Sequence, residues 1–224
     1  LCSNMHADTP SYATAEHTWG LILASMRQIP QQMTSVKAGK WQSGVGKNLR
    51  GRTIGLYGYG RIARTVAGYA NAFGMNVVWW SSESGRARAL ADGQTVADSR
   101  EAFFARSDVV SVHVRLKPST TGVITLDDFR AMGREALFVN TSRSGLVETG
   151  ALLSALNEGR PGMAAVDVFD VEPLLDPNDP LLAHPNLIAT PHIGYVTEDE
   201  YNIAFADIFD QVVAYYNGKP IHVI

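Results

Sequence analysis

The sequence predicts an α/β protein whose parallel sheet is doubly wound, with helices on both faces. From Arg52 onward, short apolar segments alternate with segments of helical character. Strands that are apolar on both faces are typical of a parallel sheet covered by helices on each side. A glycine-rich turn joins the first of these strands to its helix, which is a second feature of doubly wound sheets.

The chain before the first strand is predicted to form a helix and then a loop. Thr9 followed by Pro10 is a typical helix start, and the apolar stretch after it predicts a helix over residues 11–26. Pro30 is expected to end this helix, because proline does not fit a helix interior. Residues 31–48 are then expected to form a long loop that carries Trp41.

The rest of the chain alternates regularly between strands and helices. The predicted strands cover residues 53–57, 76–80, 108–114, 136–140, 163–168 and 187–190. The predicted helices cover residues 61–73, 99–106, 126–132, 148–157 and 197 to about 216. This alternation, without internal repeats, favours the doubly wound sheet over an antiparallel fold.

The composition is that of an ordinary globular protein. Hydrophobic residues make up 46% and charged residues 18%, which excludes intrinsic disorder. The formal net charge of -3 gives no basic field for nucleic acid or an anionic membrane. A single cysteine, Cys2, cannot form an internal disulfide, and we find neither a signal peptide nor an apolar run that spans a bilayer. We therefore expect a protein of the reducing cytoplasm.

The segment GLYGYGRIA, residues 55–63, predicts a dinucleotide-binding turn of the Rossmann type. It follows a predicted strand and opens a predicted helix, as the pyrophosphate-binding turn does. Gly58 permits the tight turn, Gly60 lets the backbone approach the phosphates, and Ala63 allows the helix to pack closely on the strand. The free N–H groups at the start of that helix attract phosphate.

The end of the second predicted strand leaves the form of the dinucleotide open. An NAD-binding turn usually has an acid about 20 residues further on, which holds the ribose 2′-hydroxyl. The sequence has Ser81, Ser82 and Glu83 at this place, and the serines could hydrogen-bond to either cofactor. Two arginines follow, at Arg86 and Arg88. Because neither lies directly at the strand end, NAD is favoured, and NADP is not excluded.

Three segments carry reactive side chains after later strands, at the sheet edge where open α/β proteins bind ligands. Arg143 comes directly after the strand in FVNTSRSGLV, and His192 follows the last short strand in IATPHIGYVTEDE. Asp167 lies near the strand end in AAVDVFDVEPL, with Glu172 in the loop after it. Each alone has a simpler interpretation as a turn residue, a loop acid or a satisfied histidine. Their shared edge indicates one site.

Taken in order, these segments resemble the D-isomer-specific 2-hydroxyacid dehydrogenases. The helix segment SYATAEHTWGLIL, the loop VHVRLKPSTTGVI and the C-terminal NGKPIHVI resemble the same family, so the likeness covers nearly the whole chain. The resemblance implies an oxidoreductase that transfers a hydride between a nicotinamide cofactor and a small D-2-hydroxy acid or 2-oxo acid.

The resemblance also implies a role for each residue. Arg143 would hold the substrate carboxylate and keto oxygen, and His192 would be the acid–base. Glu172 would hydrogen-bond the other imidazole nitrogen and keep the protonated form available. Asp167 resembles the residue that contacts the nicotinamide carboxamide. The expected cofactor-binding residues are Gly58, Tyr59, Gly60, Arg61, Ile62, Ser81, Val114, Thr141, Ser142, Asp167 and Gly194. No metal site is expected.

Family members also have a flavodoxin-like substrate domain, most of which is not recognisable in this sequence. We therefore expect residues 1–195 to form the dinucleotide-binding domain, and residues 196–224 to form a helix and tail that return to the substrate domain. A further segment is expected upstream of Leu1. The apolar surface of helix 11–26 and of the Trp41 loop, with the habit of the family, predicts a homodimer.

Two other functions stay open. The C-terminal-binding-protein corepressors share this fold and the same arginine, glutamate and histidine, so an NADH-sensing binding protein is an alternative. Formate dehydrogenases pair the histidine with a glutamine, because formate oxidation needs no proton transfer to a carbon-bound oxygen. Glu172 therefore disfavours a formate dehydrogenase.

Overall fold

The computed structural model describes residues 12–223, and its strands lie in one parallel sheet. The strands are β1 Thr53–Tyr57, β2 Asn76–Trp80, β3 Val109–Val112, β4 Leu137–Asn140, β5 Met163–Val166 and β6 Leu187–Ala189. The helices are α1 Tyr12–Met26, α2 Ile29–Lys37, α3 Arg61–Ala72, α4 Glu83–Ala91, α5 Arg100–Arg106, α6 Leu126–Ala131, α7 Ala151–Glu158 and α8 Glu198–Tyr216. Short 3₁₀ turns lie at Pro118–Thr120 and Ser144–Leu146.

The strand order β2-β1-β3-β4-β5-β6 confirms the predicted doubly wound sheet. The chain runs from β1 outward to β2 and then crosses back to β3 on the other side of β1. Such a reversal opens a crevice between the carboxyl ends of two strands, where ligands bind. Here the crevice lies between Tyr57 and Val112, which are paired at the ends of β1 and β3. The glycine turn begins directly after Tyr57, at this crevice.

Each face of the sheet has its own apolar core. In β1, Ile54 and Leu56 point into one core, which α1 and α3 cover. Gly55 points to the other face, where an added Cβ would lie 2.9 Å from the ring of Phe103. This alternation follows from the two-residue period of a strand. The two cores explain why the strand segments are apolar on both sides.

Two predicted strands are shorter than the sequence suggested. Strand β3 ends at Val112 and β5 ends at Val166, so residues 113–114 and 167–168 leave the sheet. His113, Val114 and Asp167 instead line a cleft at the carboxyl edge of the sheet. The helix predicted over 148–157 begins at Ala151, because Gly150 has a φ of 77° and breaks the helical path. Side-chain caps at Ser99 and Thr197 begin α5 and α8.

The prediction of one long loop over residues 31–48 is wrong. Pro30 does not follow a helix end but lies in the first turn of α2, where its missing N–H costs nothing. The break between α1 and α2 is instead at Gln28, whose φ of 54° is left-handed. The predicted helix start at Thr9 and Pro10, like Leu1 and Cys2, lies outside the described residues.

The apolar surface of α1 is covered by the protein itself, which corrects part of the basis for the expected dimer. Trp19, Ile22 and Met26 are buried in the core that α1 shares with α3 and the sheet. The exposed apolar residues near it lie further on, at Met33 of α2 and at Trp41, which is 78% exposed. Among residues 12–223, no helix is long and apolar enough to cross a membrane.

Candidate functional site

The carboxyl ends of the central strands border an open cleft of about 1010 Å³. Most of the predicted site residues lie on its wall, namely Tyr59, Gly60, Arg61, Ile62, Val114, Thr141, Ser142, Arg143, Asp167, His192 and Gly194. Glu172 lies behind His192, to which it is hydrogen-bonded. Gly58 is not on the wall, and its N–H donates to the Trp80 carbonyl oxygen at 2.7 Å. The structure does not bring Ser81 to the wall either.

The glycine turn meets two different steric requirements. Gly58 has a φ of 115°, and a Cβ there would overlap the carbonyl oxygen of His113 at the end of β3. The protein itself therefore requires glycine at this position. A Cβ on Gly60 would meet no protein atom within 4 Å. The space beside Gly60 is part of the cleft. The absence of a side chain at Gly60 therefore leaves room for a ligand and is not required by the packing of the protein.

The start of α3 completes a cradle for phosphate. The helix begins at Arg61, and its N-cap Gly60 offers no side chain to the first N–H groups. Free N–H groups and the helix dipole attract anions, and phosphate is the common ligand of such a turn. The residues present at this end of the cleft thus fit the pyrophosphate of a dinucleotide.

His192 and Glu172 form a close pair at the other end of the cleft. The Nδ1 of His192 lies 2.6 Å from Oε2 of Glu172, and Oε1 of Glu172 accepts the Phe169 N–H at 2.9 Å. Burial alone would raise the pKa of the Glu172 carboxyl. Hydrogen bonds from His192 and from the Phe169 N–H outweigh burial and hold that pKa below its ordinary value.

An ionised Glu172 sets the orientation of the imidazole. A carboxylate only accepts hydrogen bonds, so Nδ1 of His192 must carry a hydrogen. The Nε2 atom is then free of this pair and is available for acid–base chemistry in the cleft, which His192 lines. The ring of Tyr195, also on the cleft wall, stands edge-on to His192 with the centroids 5.9 Å apart.

The buried carboxylate of Asp167 anchors the loop that carries His192. Its Oδ1 accepts the Thr190 hydroxyl at 2.5 Å and the Ile193 N–H at 2.9 Å. Its Oδ2 accepts the Gly194 N–H at 2.8 Å. His192 lies between these partners with a left-handed φ of 55°, a conformation that costs about 1–2 kcal/mol for most residues. The bonds to Asp167 on both sides hold it there.

Helix α1 reaches the same network through His17. The Nε2 of His17 lies 3.0 Å from the Thr190 hydroxyl oxygen and 3.3 Å from Oδ1 of Asp167. Since the Thr190 hydroxyl donates to Asp167, it accepts from His17. Next to this contact, the hydroxyls of Thr18 and Thr141 lie 2.7 Å apart. His17 lies in a segment that precedes the sheet, so no strand end in the sequence points to it as a site residue.

Arg143 extends from a backbone that Asn140 holds in place. The Asn140 side chain donates to the Arg143 carbonyl oxygen at 3.0 Å and accepts the Ser142 N–H at 3.0 Å. The Ser142 hydroxyl donates to the Val112 carbonyl oxygen at 2.8 Å, which ties β4 to β3. The guanidinium of Arg143 is exposed to the cleft, as an anion-binding group must be.

Several residues on the cleft wall were not identified from the sequence. They are Thr14, Arg64, His113, Leu116 and Tyr195. His113 directly follows β3, so its position at a strand end was the signal that could have found it. Burial lowers the pKa of His113 to about 4, and its Nε2 lies 2.9 Å from the Ser111 hydroxyl oxygen. It is therefore neutral near pH 7 and does not resemble a proton donor. Among the described residues, no cluster of side chains could hold a metal ion.

Comparisons with known proteins agree with this geometry. Residues 19–194 match the family model for the D-isomer specific 2-hydroxyacid dehydrogenase, NAD binding domain. The chain is 37% identical to the D-3-phosphoglycerate dehydrogenase of Methanocaldococcus jannaschii over 95% of this chain and 40% of that protein. It is also 37% identical to the glyoxylate reductase of Aeropyrum pernix, over 92% of this chain and 64% of that protein.

A solved structure shows the same fold. The crystal structure of phosphoglycerate oxidoreductase from Vibrio cholerae o395 is 43% identical and has a TM-score of 0.88. The match covers 93% of this chain and 67% of that one. The chain thus spans about 40% of the Methanocaldococcus relative and about two thirds of the Vibrio chain.

Filling the space beside Gly60 should weaken dinucleotide binding without unfolding the protein. We expect Gly60→Ala to raise the Kd for NADH about tenfold or more, because its Cβ takes the place of the phosphates. The free energy of unfolding should change by less than about 1 kcal/mol, since no protein atom lies within 4 Å of that Cβ.

Fluorescence titration and urea unfolding measure the two effects. Gly133→Ala, which also enters open space, is the control. Unchanged NADH binding in Gly60→Ala would contradict the cradle.

His113 should make the fold more sensitive to acid. Its pKa is about 4 in the folded chain and about 6.5 when unfolded, so the unfolded state binds more protons between these values and stability falls as the pH falls. Between pH 7 and pH 5 the wild type should lose about 2 kcal/mol more than His113→Gln. Urea unfolding at both pH values measures this, and equal losses would show that His113 is not buried in its neutral form.

Proposed function

We propose a function for this chain, which belongs to the D-isomer-specific 2-hydroxyacid dehydrogenase family through its match to the family's NAD-binding domain. The proposed reaction transfers a hydride between a nicotinamide cofactor and a small D-2-hydroxy acid or 2-oxo acid. The observation that carries the proposal is the 2.6 Å contact between His192 Nδ1 and Glu172, in the cleft that also contains Gly60 and Arg143. The names of the relatives, D-3-phosphoglycerate dehydrogenase, glyoxylate reductase and glycerate dehydrogenase, support the same class of substrate.

Arg143 is proposed to bind the substrate. A planar guanidinium matches a carboxylate with two parallel hydrogen bonds, which a lysine cannot provide. The bond that Arg143 Nη1 donates to the Ser142 carbonyl oxygen, at 2.6 Å, limits the side chain to one region of the cleft. This restraint orients the substrate so that its C2 carbon faces the nicotinamide.

A nicotinamide cofactor held by the turn at Gly60 and the cleft wall near Asp167 would supply or accept the hydride at C2. In the direction of reduction, Nε2 of His192 donates a proton to the carbonyl oxygen, so that one hydride and one proton convert a 2-oxo acid to a 2-hydroxy acid. In the direction of oxidation, the same nitrogen accepts the hydroxyl proton. Glu172 keeps the hydrogen on Nδ1 in both directions, so that Nε2 is the nitrogen that exchanges the proton.

The proposed cofactor contacts follow from the cleft wall. We propose that Tyr59, Arg61 and Ile62 contact the pyrophosphate, and that Val114, Thr141 and Ser142 line the path toward the nicotinamide. Asp167 and Gly194 are next to His192, where the carboxamide is expected. Oδ2 of Asp167 accepts the Gly194 N–H, and its second lone pair is left for such a contact.

Helix α8 is proposed to pack against a substrate domain. Gln211 is the one residue of α8 that is buried, while Phe205 and Phe209 are 51% and 63% exposed. Their rings continue a series that begins at Tyr195 and Tyr201, beside the site. An aromatic face of this kind normally contacts another protein surface. We propose that residues 196–224 have this role and that residues up to 195 form the cofactor domain.

The remaining expectations are also proposals. A homodimer is supported by the exposed apolar side chains of Met33, Val36 and Trp41, the last two 55% and 78% exposed. The formal charge of -3 provides no basic field, so nucleic acid is not proposed as a partner. The single cysteine supports a cytoplasmic location.

Turnover with a panel of 2-oxo acids tests the proposed function. We expect oxidation of NADH or NADPH with at least one member of a set that contains glyoxylate, hydroxypyruvate and pyruvate. His192→Ala should lower kcat by about 10²–10⁴ and leave cofactor binding unchanged, because His192 acts only on the substrate oxygen. His184→Ala, a loop histidine outside the cleft, is the matched control.

The possible results separate the candidate functions. Turnover that depends on His192 supports the dehydrogenase. Tight NADH binding without turnover on any oxo acid would contradict it and favour a nucleotide-sensing binding protein. Oxidation of formate alone would favour a formate dehydrogenase, against the chemistry of Glu172.

A further inference from the structure

The carboxyl end of β2 is where a dinucleotide-binding fold distinguishes NAD from NADP. The Trp80 carbonyl oxygen accepts the Gly58 N–H at 2.7 Å, so Ser81 begins directly beside the glycine turn. An acid at this place would hold the ribose 2′-hydroxyl and repel a 2′-phosphate. Ser81 has a neutral hydroxyl instead, and the next residue, Ser82, uses its own hydroxyl to cap α4.

Arg86 places a positive charge at this strand end. It lies on α4, but its side chain folds back, and Nη1 donates to the Ser81 carbonyl oxygen at 2.7 Å. Its guanidinium carbon lies 4.4 Å from the centre of the Trp80 ring. The sequence suggested that no arginine lies at the strand end, because Arg86 is several residues further along the chain. The fold brings it there.

The adjacent cleft wall is also positive. Arg64 and Arg88 line the cleft near Tyr59, with their guanidinium carbons 5.7 and 5.9 Å from the centre of its ring. The carboxylate of Asp92, the nearest acid to this ring, accepts the Tyr59 hydroxyl at 2.5 Å and is not part of the wall.

No acid balances these arginines on the wall. Asp167 is the one acidic side chain among the described residues that line the cleft, and it is buried beside His17 and Thr190 at the other end. Within residues 12–223, neither Arg86 nor Arg88 forms an ion pair with a carboxylate. This end of the cleft therefore has more positive charge than a pyrophosphate with its cradle of N–H groups requires.

We infer that Arg86 and Arg88 form a subsite for the 2′-phosphate of NADP(H), so that the chain binds NADPH more tightly than NADH. The inference rests on the proposed function, because it assumes that the cleft holds a nicotinamide dinucleotide. A phosphate has three strong acceptor oxygens and a charge between -1.5 and -2, roughly, near neutral pH. Guanidinium groups pair with it through charge-assisted hydrogen bonds. The 2′-hydroxyl of NADH is neutral, so it cannot form a charge-assisted hydrogen bond with both partners ionised to Arg86 or Arg88.

The Ser81 hydroxyl fits this subsite as well. It stands where an acid would exclude the phosphate, and a hydroxyl can donate to a phosphate oxygen. The pyrophosphate of either cofactor is expected to bind at Gly60. NADH should therefore bind at the same turn, with lower affinity than NADPH. The difference between the two Kd values then measures the subsite alone.

Fluorescence titration of the chain with NADPH and with NADH, at one ionic strength, tests the inference. We expect the Kd for NADPH to be lower by about tenfold or more, which is the effect of one to two charge-assisted hydrogen bonds. Arg86→Ala and Arg88→Ala should each raise the Kd for NADPH about tenfold and change the Kd for NADH less than about twofold. Arg106→Ala, an exposed arginine of α5 outside the cleft, is the matched control.

Ser81→Asp tests the subsite without removing the Arg86 side chain that covers Trp80. It should reverse the preference, with weaker NADPH binding and equal or tighter NADH binding. Circular dichroism shows whether each variant is folded. If Arg86→Ala does not fold, Ser81→Asp alone tests the subsite for the 2′-phosphate.

Two results would overturn the inference and leave the proposed function intact. One is NADH binding as tightly as NADPH or more tightly. The other is a preference for NADPH that neither arginine variant nor Ser81→Asp reduces, which would place the 2′-phosphate elsewhere. Binding of neither cofactor would overturn the proposed function, and this inference with it.

Discussion

The buried carboxylate of Asp167 is the constraint on which the arrangement of the site depends. An unpaired carboxylate at this depth would cost several kcal/mol, and burial alone would raise its pKa. Hydrogen bonds from His17, Thr190 and the N–H groups of Ile193 and Gly194 outweigh burial and keep the pKa of Asp167 below its ordinary value. The charge thus persists, and it holds the end of β5, the loop after β6 and helix α1 together.

This network explains why His192 can adopt a left-handed backbone conformation. The residues on both sides of it bond to the same carboxylate, so the loop has one favourable path, and the imidazole reaches Glu172 at 2.6 Å. The opposite end of the cleft depends on packing instead. There Gly58 must be glycine because β3 approaches so closely, and Gly60 leaves the cradle open. The glycine turn at Gly58 and Gly60 therefore lies at one end of the cleft, and the loop that carries His192 lies at the other.

The sequence was sufficient to predict the doubly wound sheet and the residues that follow its strands. Parallel strands bring their carboxyl ends to one edge, so Arg143 and His192 could be grouped without coordinates. It was not sufficient for His17, whose segment precedes the sheet, or for Arg86, whose side chain folds back from a helix to a strand end. Such contacts depend on the packing of helices on the sheet, which local patterns do not encode. Pro30 was misinterpreted because proline can either follow a helix or begin one.

A crystal structure of the chain with bound NADH tests the central claim most directly, because it locates both ends of the dinucleotide at once. We expect the pyrophosphate against Gly60 and the start of α3, with the nicotinamide beside Asp167 and facing Nε2 of His192. A dinucleotide bound outside this cleft, or one with its nicotinamide directed away from His192, would show that the proposed site is wrong.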